Sequence, residues 1–186
     1  MKPTYFPLSL RVLHWVMAPL VLAMLLIGLG MVASVSPRHA ELVAIHKPLG
    51  AALLVLVLLR IAVRLTRRVP PLPDDMPGWQ RGAAHLSHLA LYGLLLAQPL
   101  VGWTMQSAGG YPVVLWGGFE LPALVAPSVE LHTLLRGAHS VLACVLLLTI
   151  LLHLAAALFH GLIRRDAVLP SMTGAPMPSD PSGEHR

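Results

Sequence analysis

Three long stretches of this chain carry no charge at all. There are 26 residues without Asp, Glu, Lys or Arg between Arg11 and Arg38, 38 between Arg81 and Glu120, and 27 between Arg136 and Arg164. Each exceeds the ~20 residues a helix needs to cross a hydrocarbon core of about 30 Å. A fourth apolar run, from Ala40 to Leu65, is interrupted by Glu41, Lys47, Arg60 and Arg64. These lie toward its ends, where long basic side chains reach the headgroups while their stems stay in the apolar layer. The pattern predicts four transmembrane helices, over about 9–35, 39–66, 81–106 and 130–164, in an all-α integral membrane four-helix bundle. Pro19 and Pro99 fall inside the first and third and predict local kinks.

The connections differ in character. Val69 to Gly78 is rich in proline and acid (Pro70, Pro71, Pro73, Asp74, Asp75, Pro77) and reads as a short extended linker. Ser107 to Val129 combines Gly109, Gly110, Gly117 and Gly118 with Tyr111, Trp116 and Phe119. Aromatic residues of that kind favour the membrane interface, so this connection is expected at the bilayer edge. Trp15, Trp79, Trp103 and Trp116 read as interface anchors for the same reason. Residues 1–165 form the bundle, and 166–186 are expected to be a disordered cytoplasmic tail, rich in Pro, Ser and Gly after Pro170.

Charge sets the expected orientation. Lys2, Arg11, Arg60, Arg64, Arg67, Arg68, Arg81, Arg164, Arg165 and Arg186 fall on one side; only Arg38, Lys47 and Arg136 fall on the other. The positive-inside rule then puts both termini in the cytoplasm. The formal net charge of +5 does not imply nucleic acid, because the basic residues sit at the ends of apolar runs and form no stripe. Composition agrees with a lipid-facing surface: 56% of residues are hydrophobic and 11% charged, against about 25% charged in soluble domains. The first apolar run is too long for a signal-peptide core, so no cleaved leader is expected.

The histidines carry the chemistry. Ten occur in 186 residues, and an ionisable group inside a membrane is costly unless it has a partner. His132, His139, His153 and His160 share one face of the last helix, since steps of seven and fourteen residues return to within roughly 20° and 40° of the starting direction. Leu146 fills the missing seventh position. His139 and His153 stand about 21 Å apart along the axis at ~1.5 Å per residue. His14, at the cytoplasmic start of the first helix, matches His153 in depth, and His46, in the outer part of the second, matches His139. Two pairs at two depths suit two stacked haem groups held between facing helices. A zinc ion needs three or four ligands converging on one point, which that separation forbids for His139 with His153. Helix-to-helix hydrogen bonds and a proton relay remain alternatives on spacing alone. The lone Cys144 reads as a small buried apolar side chain, and one thiol cannot form the C-x-x-C-H attachment of covalent haem.

Several local sequences resemble the bacterial cytochrome b561 family: Leu13-His14-Trp15, Ile45-His46-Lys47-Pro48-Leu49-Gly50, Leu59-Arg60-Ile61-Ala62-Val63-Arg64-Leu65, Ala84 to Tyr92, and the His139, His153, His160 series. The resemblance covers about residues 5–165. It implies a multi-pass protein of the bacterial inner membrane with two non-covalent b-type haems. His14, His46, His139 and His153 are then the axial ligands. It also implies electron exchange with ubiquinone, and one branch of the family resembles a superoxide:ubiquinone oxidoreductase. His160 matches a family histidine that is a candidate for the quinone site. Arg60 and Arg64 on the inner side and Lys47 on the outer are candidate partners for haem propionates, with a topological role as the competing reading. His85 and His88 read as interfacial residues, with propionate or quinone contact as the alternative; His39, His132 and His185 read as surface positions. The leading function is a self-contained membrane oxidoreductase. The competing functions are an anchor and electron conduit for a partner redox protein, such as a dehydrogenase or hydrogenase, and a cofactor-free bundle. The outer charges Arg38, Lys47 and Arg136 are balanced by Glu41, Glu120 and Glu130, so superoxide rests on the resemblance alone.

Overall fold

The fold is that of a computed structural model, which describes residues 4–33, 36–73 and 75–176. Four long helices dominate it: α1 (Leu8–Ala33), α2 (Arg38–Thr66), α3 (Gly78–Ala108) and α4 (Val129–Leu158), the last prolonged by a π-helical turn, Phe159–Arg164. All four are long and apolar enough to cross a bilayer, and the architecture is an all-α membrane four-helix bundle. Helix α4 starts where Ser128 takes an extended conformation and its hydroxyl accepts from the Leu131 amide at 3.2 Å, satisfying one of the free donors of the first turn. Glu130 adds negative charge at the positive end of the helix dipole. Helix α3 begins three residues earlier than the charge pattern suggests. Pro77 stands just ahead of it, where its missing N–H costs nothing, and Gly78, Trp79 and Gln80 form its first turn.

Leu, Val and Ile side chains cover the outside of the bundle, with Leu26, Val32, Leu65 and Leu148 among the exposed ones. In water such a surface would aggregate; here it is the face for lipid. A core cluster lies halfway along the helices, made by Val21, Leu53 and Leu146 with Leu20, Leu25, Leu91, Leu95 and Ile150 around them, and Leu10, Met17 and Val57 are buried as well. Leu146, 3% exposed, is the apolar member of the α4 histidine series. Helices α1 and α2 pack together, as do α2 with α3 and α3 with α4.

Two segments depart from expectation. The connection between α3 and α4 holds a small antiparallel hairpin, β1 (Val113–Val114) with β2 (Glu120–Leu121), pairing Val113 with Leu121 and Val114 with Glu120. Gly117 and Gly118 turn it at φ +83° and +81°, where a side chain would meet its own backbone. Tyr111, Trp116 and Phe119 remain exposed around it.

The expectation of a disordered tail from residue 166 is corrected for 166–176; residues 177–186, His185 among them, lie outside the described set. Val168–Thr173 form a short helix, α5, that is tied to the start of the chain. The Phe6 amide donates to the Ser171 carbonyl at 3.0 Å. Arg11 donates to the Met172 and Thr173 carbonyls at 3.2 and 2.6 Å, and the Trp15 indole to Met172 at 3.3 Å. Composition alone could not reveal this order, because every one of these bonds joins residues about 160 positions apart.

Candidate haem-binding centres

The inward-facing positions of the four helices repeat every seven residues, and the repeat stacks three layers. The middle one is the core of Val21, Leu53 and Leu146, with Leu95 packed on it. Seven residues before or after those four lie His14 and Gly28 on α1, His46 and Arg60 on α2, His88 and Gly102 on α3, and His139 and His153 on α4. Because neighbouring helices run antiparallel, these sort into a layer near the chain termini (proximal: His14, Arg60, His88, His153) and one near the hairpin (distal: Gly28, His46, Gly102, His139).

Contacts within each layer agree with that register. The rings of His14 and His153 face each other edge-on with centroids 6.4 Å apart, and those of His46 and His139 do so at 6.2 Å. In the distal layer the position of a Cβ on Gly28 is 3.6 Å from His46 Cε1, and that of a Cβ on Gly102 is 3.1 Å from His139 Cε1. In the proximal layer His88 stands 5.6 Å from His153, and Arg60 donates to the Leu10 carbonyl at 2.7 Å, one turn before His14.

Imidazole nitrogen binds a metal at about 2.0–2.1 Å, and the ring centre lies about 1 Å behind it, so two rings on one metal have centroids about 6 Å apart. Both pairs match this. Among the described residues, Nδ1 of His46 and Nδ1 of His139 are buried with no hydrogen-bond partner. Among the described residues no three His, Cys, Asp or Glu side chains converge to hold a bare ion. Two nitrogens and no further protein ligand fit a metal that brings its own equatorial donors, which is the chemistry of haem.

The remaining sequence candidates find protein partners. Lys47 Nζ donates to the Pro112 carbonyl at 3.1 Å, joining α2 to the segment before the hairpin. The Arg64 guanidinium lies 5.7 Å over the Phe6 ring. His160 is 9% exposed, and its Nδ1 donates to the Asp166 carboxylate at 2.6 Å. Asp166 also faces Arg164 Nε at 3.4 Å, while Arg164 pairs with Asp75 at 2.5 Å. Two backbone features put Asp166 there: the π-helical turn, and Arg165 with φ +54°, which folds the chain back so that the Asp166 amide meets the His160 carbonyl. His132 is not a surface residue. Its Nδ1 donates to the Met105 carbonyl at 2.9 Å, clasping α4 to α3. His39 is exposed and donates to the Met31 carbonyl, and Trp103 donates to Pro122.

Asp166 carries no signal in the sequence pattern, and His88, expected at the interface with propionate or quinone contact as the alternative, instead stands in the proximal layer. His88 was legible in the spacing His88, Leu95, Gly102, which runs antiparallel to His139, Leu146, His153.

A family model described as prokaryotic cytochrome b561 matches residues 5–175. Similar proteins include cytochrome b561 homolog 2 of Escherichia coli (strain K12), 31% identical over 166 residues, which is 87% of each chain. Cytochrome b562 of Cereibacter sphaeroides is 31% identical over 177 residues, covering 92% of this chain and 96% of that one. A probable superoxide oxidase, CybB, of Yersinia pestis is 30% identical over 128 residues, 69% of this chain and 72% of that one.

Proposed function

The chain belongs to the prokaryotic cytochrome b561 family, membrane proteins that bind haem b and transfer electrons, and on that premise we propose a two-centre electron path across a bacterial inner membrane. One non-covalent haem is held by His14 and His153, a second by His46 and His139. The observation that carries this reading is the pair of ring spacings, 6.4 and 6.2 Å, on either side of the Val21–Leu53–Leu146 layer. By the distribution of Lys and Arg, both termini and the proximal layer face the cytoplasm.

Haem b supplies, when bound, an iron that gains and loses one electron. The protein does the rest. The four histidines fix the two centres in depth, and Leu146 with its neighbours keeps the space between them apolar and dry. Arg60 supplies positive charge beside the proximal centre, whereas the Arg64 guanidinium lies over the Phe6 ring and Lys47 donates to the Pro112 carbonyl.

The proposed donor is superoxide at the outer face and the proposed acceptor ubiquinone at the cytoplasmic end. Support for superoxide is the name of the Yersinia pestis relative. Support for the acceptor site is His160, buried at the proximal end with a carboxylate on Nδ1. That bond keeps the Nδ1 proton in place and leaves Nε2 to carry a second proton toward a quinone carbonyl. Two superoxide ions each lose one electron and leave as oxygen; one ubiquinone takes up two electrons and two protons and leaves as ubiquinol.

The test is to reduce the purified protein with superoxide and follow its reoxidation by a soluble ubiquinone. Wild type should cycle, and His160→Ala should be reduced normally and reoxidised slowly. A wild type that superoxide does not reduce rejects that donor; equal reoxidation of both proteins removes His160 from the quinone site.

A further inference from the structure

A helix that gives no ligand to a layer still presents one residue there, and the two histidine layers differ in what that residue is. In the distal layer it is glycine twice, Gly28 on α1 and Gly102 on α3, each beside a ligand ring. In the proximal layer it is Arg60 on α2 and His88 on α3. The two centres therefore share a backbone register and differ in charge.

Arg60 is the cation that belongs to the proximal layer. Its guanidinium is bonded to the carbonyl of Leu10, a residue 1% exposed and one helical turn from His14. Among the other cations of that end, Arg11 is bonded to the carbonyls of α5, Arg64 lies over the Phe6 ring, Arg164 faces Asp75 and Asp166, and Arg81 and Arg165 donate to nearby carbonyls. At the distal end the Lys47 ammonium is bonded to the Pro112 carbonyl.

Arginine stays protonated in any protein environment. Among apolar helices its field is weakened far less than in water. Taking up one electron lowers the charge of an iron centre by one, so a fixed positive neighbour favours the reduced form. We propose that Arg60 raises the reduction potential of the proximal centre above that of the distal one, so that an electron accepted at the distal end comes to rest at the proximal end. The transfer oxidises one centre by one electron and reduces the other by one, and no bond is made or broken. The inference rests on the two-centre reading above.

The experiment is a redox titration of the detergent-solubilised holoprotein, followed by its visible absorption. Wild type is compared with His46→Ala, which keeps the proximal centre, and His14→Ala, which keeps the distal one; each is made with and without Arg60→Gln. Two components should appear in wild type, the higher matching His46→Ala. Arg60→Gln should shift that component down and leave the His14→Ala component in place, and Arg60→Lys, which keeps the charge, should shift it less. The inference is overturned if the higher component is the one His14→Ala retains, or if Arg60→Gln moves neither component or both alike. Should Arg60→Gln lose the proximal haem, the order of the two single-centre potentials and the Arg60→Lys shift still decide. A single component with one haem per chain instead overturns the two-centre reading.

Discussion

Replacing Gly102 by valine puts a branched side chain where α3 approaches the His139 ring. A Cβ at residue 102 lies 3.1 Å from His139 Cε1 and 3.4 Å from Nδ1, against favourable carbon contacts of about 3.5–4.0 Å. Alanine therefore asks the ring to retreat by about 0.4 Å, at the edge of the ~0.5 Å within which a binding constellation keeps its geometry. Valine adds two methyl groups on the same side and exceeds it. Overpacking of this kind costs about 1–3 kcal/mol, which is roughly a 5- to 150-fold weaker hold on the distal haem at 1.4 kcal/mol per factor of ten. The assay is haem per chain by pyridine haemochrome after purification. Gly102→Val should fall from two toward one, with Gly102→Ala between. Gly93→Ala and Gly137→Ala, where nothing lies within 4 Å of the new Cβ, should keep both. Full haem content in Gly102→Val would refute the packing of α3 on the distal ligand, and so the layer register.

Other expectations follow from the same geometry. His46→Ala and His139→Ala should each remove the distal haem and the double variant no more than that, while His14→Ala and His153→Ala remove the proximal one; optical spectra of the four variants check the pairing, and a different grouping breaks it. Leu146→Ala empties the centre of the apolar layer between the two histidine layers and should lower stability by about 2–5 kcal/mol, read as an earlier thermal midpoint in detergent, with haem content unchanged at low temperature. Arg11→Gln removes the charged bonds to the Met172 and Thr173 carbonyls, each worth about 1.5–3 kcal/mol. Limited proteolysis should then cut near α5 sooner, and an unchanged cutting rate would mean that α5 is held by something else.

What could be read in advance was whatever repeats along one helix. The four spans and the depth of His14, His46, His139 and His153 follow from rise per residue and uncharged length, both properties of a helix alone. The features that escaped join distant segments or break periodicity. Helix α5 has too few apolar residues to be seen as a helix, and its order comes from Phe6, Arg11 and Trp15. Asp166 reaches His160 only because a π-helical turn and a left-handed Arg165 interrupt the regular helix between them. The hairpin strands have two residues each, too short for any alternation to show. His88 is a different case: its spacing to Leu95 and Gly102 was available, but its nearness to Arg81 suggested a headgroup position.

The central claim is two haems on four histidines, and haem stoichiometry with a reduced-minus-oxidised spectrum tests it most directly. The purified protein should be coloured, show a b-type spectrum of low-spin iron with two histidine ligands, and release two haems per chain into acid acetone, leaving none on the protein. A ratio of one, a pigment that stays covalently attached, or a colourless protein would contradict it.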